Sequence, residues 1–214
     1  MAINKPNSIP QTASAIINTN IGIKGIGHYV PVKTITNKDL EKKLDTTDKW
    51  IYDKVGIKER RIAEVNESAS DLALFASLKA LDCAGITAKD LDLIILNTSS
   101  PDFIQPPTSC VLQGKLGAYN ATCFDIGAVC AGFIFGLAMG YNIMRGNTKY
   151  KNVLVVGTEV YSKILDWNDR STCVFFGDGA GAVVLSETKE WGIFDSCLKN
   201  ELINDTGLFF MVSF

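Results

Sequence analysis

An α/β fold, with a mixed and mostly parallel sheet covered by helices, is what this sequence predicts, and three observations carry the prediction. First, Leu91-Asp92-Leu93-Ile94-Ile95-Leu96 and Val153-Leu154-Val155-Val156 are short apolar runs of strand length. Such runs suit strands buried on both faces. Second, segments with helical spacing lie between the runs, which implies βαβ units. Third, glycine and proline punctuate the ends of nearly every segment. With 47% apolar and 21% charged residues over 214 positions, the chain is long and greasy enough to bury a sizeable core.

The elements follow in order. Residues 1–20 are polar and read as a flexible leader, and Ile21 to Val30 reads as a first strand closed by Pro31. Asn37 is a suitable N-cap for a short helix that sets Leu40 and Leu44 on one face. Thr47 caps a second short helix with Trp50 and Ile51, and Gly56 ends it. Ser68 and Asp71 form a capping-box pattern ahead of Leu74, Phe75, Leu78 and Leu81, a helical stripe stopped by Gly85. After the first buried run, Pro106 and Pro107 open a helix that ends near Gly117. Thr122 to Ile126 reads as a strand, and Ala131 to Arg145 as a helix apolar almost all round, hence buried. Lys151 to Gly157 is the second buried strand. Val174 to Phe176 and Ala182 to Leu185 read as two more, joined by a tight turn at Gly177-Asp178-Gly179. The apolar stretch Leu208 to Phe214 reads as a strand with nothing to cover it, so the chain is expected to end in mid-fold.

Composition excludes several function classes. A net charge of −2 with interspersed signs argues against a nucleic-acid binder. No unbroken run of 18 apolar residues or secretory signal argues for a membrane or secreted protein, and a cytoplasmic location is expected. The six cysteines, at 83, 110, 123, 130, 173 and 197, show no CxxC or zinc-finger spacing, and with a single histidine no metal site is expected. They read as reduced thiols, most of them small core residues.

One segment carries chemistry. In Asp125-Ile126-Gly127-Ala128-Val129-Cys130-Ala131-Gly132-Phe133 a strand runs into small residues and then a cysteine at the start of a helix. The helix N-terminus carries partial positive charge and free N–H groups, which favour a thiolate. Gly127, Ala128, Ala131 and Gly132 would leave room for an acyl chain. The Cys130 N–H would supply half an oxyanion hole. The same pattern also fits a small core cysteine at a tight strand–helix junction.

The segment resembles the nucleophile motif of the ketoacyl synthase III (3-oxoacyl-acyl-carrier-protein synthase III) family, in the thiolase-like superfamily. Other blocks match in order: Gly25-Ile-Gly-His-Tyr-Val-Pro31, Thr36-Asn-Lys-Asp-Leu-Glu41, Asp45-Thr-Thr-Asp-Lys-Trp-Ile51 and Gly56-Ile-Lys-Glu-Arg-Arg-Ile62. Val155-Val-Gly-Thr-Glu159, Asp169-Arg-Ser-Thr172 and Phe176-Gly-Asp-Gly-Ala-Gly-Ala-Val-Val184 complete the set. The resemblance implies a thiolase-like fold, with residues 21–190 as the N-terminal domain and 191–214 as the start of a truncated second half.

It further implies a two-stage Claisen condensation with no bound cofactor. Acyl-CoA acylates Cys130, and malonyl-acyl carrier protein then decarboxylates and attacks the acyl thioester. Acyl carrier protein and a second copy of the chain are the implied partners. Trp50 and Arg170 match the pair that holds the CoA adenine, and Lys54 stands where relatives often grip phosphate with arginine. Gln105 falls near the position of an acyl-pocket residue that reaches across the dimer. The family's catalytic His and Asn would follow Phe214, and His28 sits where the family has no catalytic group. Two other readings stay open: a naturally short, non-condensing relative or partner subunit in secondary metabolism, and a CoA-binding module without catalysis.

Overall fold

The computed structural model describes residues 20–189 together with 192, 193 and 198. The predicted leader and the apolar stretch at 208–214 lie outside the described residues. Among the described residues seven strands and five α-helices follow one another: β1 Asn20–Tyr29, β2 Lys33–Thr36, α1 Asn37–Glu41, α2 Asp48–Val55, β3 Glu59–Ile62, α3 Ala69–Ala84, β4 Leu93–Asn97, α4 Thr108–Leu116, β5 Thr122–Ile126, α5 Gly132–Gly146, β6 Asn152–Val160 and β7 Asp178–Thr188.

Five strands form one sheet in the order β1-β7-β6-β4-β5. β4 pairs parallel with both β5 and β6, while β7 runs antiparallel between β6 and β1. Four of the five strands therefore point the same way, yet only half of the pairings are parallel. β2 and β3 make a separate antiparallel ribbon that the apolar pattern did not reveal. Its strands are four residues each and only partly buried, so no alternation of useful length exists.

Alternate residues of the central strands divide the core. Ile94, Leu96, Leu154 and Val156 face α3 and α4, while Leu93, Ile95, Val153 and Val155 face α5. This is the period-two signature of a strand covered on both sides. Each fully buried Leu or Ile contributes about 1.5–3 kcal/mol of transfer free energy.

Several local expectations hold. Thr47 accepts from the Trp50 amide at 3.0 Å, Gly56 and Gly85 end their helices with positive φ, and Ser68 and Asp71 form the capping box. Five others need correction. The N-cap of α1 is Thr36, which exchanges bonds with Asp39, and Asn37 is already the first helical residue. The inward face of α3 keeps only Leu81, and in part Leu74, of the Leu74–Phe75–Leu78–Leu81 stripe. Ala69, Ala73, Ala76, Ala80 and Ala84 are buried, whereas Phe75 and Leu78 are exposed. Gly25 and Gly27 of β1 lie against the Ala80 and Ala76 carbonyls, an approach so close that only small residues fit between helix and sheet.

Val174 to Phe176 is not a strand but part of a turn-rich loop. Gly177-Asp178-Gly179 is not a tight turn either, since Asp178 begins β7, which runs unbroken to Thr188. Finally, α5 is not buried all round. Gly136 and Gly140 press onto Val155, Ile95, Leu185 and Val153, while Ile134 and Met139 are exposed. Residues Val129–Gly146 are long and apolar enough to cross a membrane by composition, and a third of that stretch is buried against the sheet.

Candidate active site

The carboxyl ends of β4, β5 and β6 meet the start of β7 at one end of the sheet, where crossings of this kind leave a crevice. β5 delivers the chain to a single 3-10 turn, Val129–Ala131, and α5 begins at the next residue. Val129 has φ +46°, a left-handed conformation that a β-branched residue rarely adopts. Inside the turn the Ala131 N–H donates to the Ala128 carbonyl at 3.2 Å. This sharp bend leaves Cys130 exposed and at the edge of a pocket of about 350 Å³. Cys130 therefore stands at an opening.

Asn97, the last residue of β4 and only 7% exposed, holds the bend. Its Nδ2 donates to the Val129 carbonyl at 3.2 Å, and its Oδ1 accepts from the Ala128 N–H at 3.5 Å. A Cβ on Gly132 would overlap this amide. The missing side chain of Gly132 thus makes room for Asn97, not for an acyl chain. Gly127 does face open space.

The opposite wall comes from β6 and β7. Gly157 pairs with Gly181 and Glu159 with Gly179, so three glycines strip side chains from adjoining strands and leave the cavity between them. Tyr161 and Phe176, stacked with centroids 4.7 Å apart, close one side. Two carboxylates hold the surrounding loops. Glu159 accepts from the Ser99 N–H at 2.8 Å and the Ser100 hydroxyl at 2.5 Å. Asp178, buried, accepts from the Ala63 N–H at 2.6 Å and the Ser162 N–H at 2.9 Å.

Of the sequence-predicted residues, Trp50 and Arg170 are brought together from positions 120 apart in the chain. The Arg170 guanidinium carbon lies 5.2 Å from the Trp50 ring centroid, a cation–π contact, and Nη1 donates to the Asp45 carbonyl. One face of Trp50 is thus covered by Arg170, while the side chain stays partly exposed. Lys54 lies one helical turn beyond Trp50 on α2 and is exposed. Gln105 is exposed in the loop before α4. None of these four lines the Cys130 pocket. His28 is exposed on β1 and does not line it either.

A buried arginine supports the loop that carries Arg170. Arg60 donates to the Val174 carbonyl and to Asn37 Oδ1, both at 2.9 Å, and burial pushes its pKa down. Asn97 escaped the sequence reading, which quoted Glu159, Asp178 and the pocket glycines within matched blocks but gave them no part in the site. One signal for Asn97 was available: a polar residue directly ending an apolar run, at the sheet edge where sites gather.

The fold and the cysteine bend define a class, the thiolase-like enzymes, and the comparisons with known proteins agree. A profile of 3-oxoacyl-(acyl-carrier-protein) synthase III matches residues 124–201. Beta-ketoacyl-(acyl-carrier-protein) synthase III of Clostridium acetobutylicum is 50% identical over 182 residues, covering 85% of this chain and 55% of the relative. The crystal structure of 3-oxoacyl-(acyl-carrier-protein) synthase III from Aquifex aeolicus is 42% identical with a TM-score of 0.80, covering 90% of this chain and 64% of that one. A priming β-ketosynthase of a polyketide pathway is 36% identical with a TM-score of 0.76, covering 79% and 50%. Over the span it shares with them, the chain is similar to ketoacyl synthase III proteins. It spans little more than half the length of the curated relative.

Proposed function

We propose that this chain carries the acyl-accepting half of a 3-oxoacyl-acyl-carrier-protein synthase III, an acyltransferase of fatty acid biosynthesis, with Cys130 as nucleophile. The observation that carries the reading is an exposed thiol on a strained bend, held at the mouth of a pocket lined by glycines. The Cys130 thiolate attacks the thioester carbon of acyl-CoA, and the negative oxygen so formed lies at the N-terminal end of α5, where the Cys130 N–H stabilises it. Collapse expels the CoA thiolate, which takes a proton from solvent, and leaves an acyl-cysteine. In the whole protein malonyl-acyl carrier protein then loses CO₂, its carbanion attacks the acyl-cysteine, and the thiolate is regenerated.

Trp50, Arg170 and Lys54 make the CoA entrance, with Arg170 swinging off Trp50 to admit the adenine. Gln105 belongs to the acyl pocket of a neighbouring copy. No cofactor takes part, and the partners are acyl carrier protein and a second copy of the chain. The likeness to a polyketide priming β-ketosynthase favours a second reading, in which the same half-reaction primes a secondary metabolite.

The test is intact-mass and peptide mass spectrometry after incubation with short-chain acyl-CoA. One acyl adduct is expected, on the peptide holding Cys130, and Cys130→Ala should abolish it. Gly181→Val should fold normally, since a Cβ there meets nothing within 4 Å, yet slow adduct formation at least tenfold by filling the pocket. Unmodified wild-type protein, or an adduct on another cysteine, would rule the assignment out.

A further inference from the structure

Two thiols outside the pocket face each other. Cys110 stands in the first turn of α4 and Cys123 is the second residue of β5, and their Sγ atoms are 3.2 Å apart. Both are partly accessible. The backbone around them is already pinned, because Asp125 accepts from the Thr108 and Ser109 amides at 2.7 and 2.8 Å, joining the start of α4 to β5 on the same two segments. A disulfide needs the sulfurs to close by only about 1 Å, to the ~2.05 Å of a covalent bond. Burial, followed by the hydrogen bond and charge of Cys110, pushes the Cys123 thiol up to about 11. At neutral pH Cys123 therefore rests as a thiol.

We propose that Cys110 and Cys123 form a dithiol/disulfide modification site, oxidised by a low-molecular-weight disulfide. The Cys110 thiolate attacks one sulfur of that disulfide, a new S–S bond forms, and one small thiolate leaves with the proton that Cys110 gave up. Once Cys110 is a mixed disulfide, its sulfur is an electrophile with Cys123 Sγ beside it. Cys123 loses its proton and attacks Cys110 Sγ, and the second small thiol departs. Two protein thiols become one disulfide, and the external disulfide becomes two thiols, so electrons and protons balance. The link staples α4 to the strand that delivers Cys130.

The experiment equilibrates the 214-residue chain with reduced and oxidised glutathione over a range of ratios, blocks free thiols with an alkylating agent, and maps the peptides. At oxidising ratios a cross-linked pair containing Cys110 and Cys123, lighter by two hydrogens, is expected. The exposed Cys83 and Cys130 should carry single glutathione caps instead. Cys110→Ser and Cys123→Ser should each abolish the cross-link without changing acylation of Cys130. If Cys110 and Cys123 stay alkylated or are capped separately at the most oxidising ratio, or if the link joins other cysteines, the proposal is overturned. The wild-type map decides the matter even where a variant fails to fold.

Discussion

Gly132 and Asn97 share one volume, and the site depends on which of them fills it. The Asn97 amide occupies the space where a Gly132 side chain would stand, and from there it reaches both residues ahead of Cys130. Gly132→Ala is therefore expected to cost about 1–3 kcal/mol by overpacking. Asn97→Ala in the same background should recover most of that loss, because the clash partner is gone. Urea unfolding of the two single variants and the double variant measures the coupling. Additive effects would show that the two residues do not compete. Cys130 was legible as a candidate from the small residues around it, but the reason for Gly132 was not. It lies 35 positions away, at the end of another strand.

At the scale of elements, short-range signals were read well and long-range ones poorly. The caps at Thr47, Ser68, Gly56 and Gly85 depend on residues within one turn, and all stand where the sequence puts them. The buried face of α3 depends on Gly25 and Gly27 of a distant strand, and there the largest residues misled the reading. The caps also carry a pH dependence. Burial pushes Asp71 up, but the Lys115 ammonium at 2.6 Å and the Ser68 hydroxyl and amide outweigh it, so its pKa lies below the ordinary value. Lys42 and Thr36 lower Asp39, Thr87 lowers Asp90, and Ser171 lowers Asp169. The folded state thus binds fewer protons than the unfolded state near pH 4 and below. This stabilisation is complete above the unfolded values and is lost as pH falls through the lowered folded ones. The urea midpoint should drop steadily from pH 5 towards pH 2, and Asp71→Asn should flatten the curve. An unchanged slope in that variant would remove Asp71 from the account.

Among the described residues, β5 closes one edge of the sheet and β1 the other. An edge strand presents unpaired backbone groups and pairs readily with a second copy. β5 is short and leads directly into the Cys130 bend, so pairing across it would set two sites near one interface. Sedimentation equilibrium should give twice the chain mass at micromolar concentration, whereas a monomer at every concentration would remove the homodimer from the proposed function.

What the sequence determined by itself was the alternation of strands and helices, the helix ends and the cysteine segment, because each is encoded by neighbours in the chain or by a run of apolar residues. Only the tertiary structure decided that Val174 to Phe176 would be a loop, that β7 would enter antiparallel, that Arg170 would cover Trp50, and that Asn97 would hold the Cys130 bend. Each of these outcomes turns on contacts between segments tens of residues apart, and such contacts exist only once the sheet has brought its strand ends together.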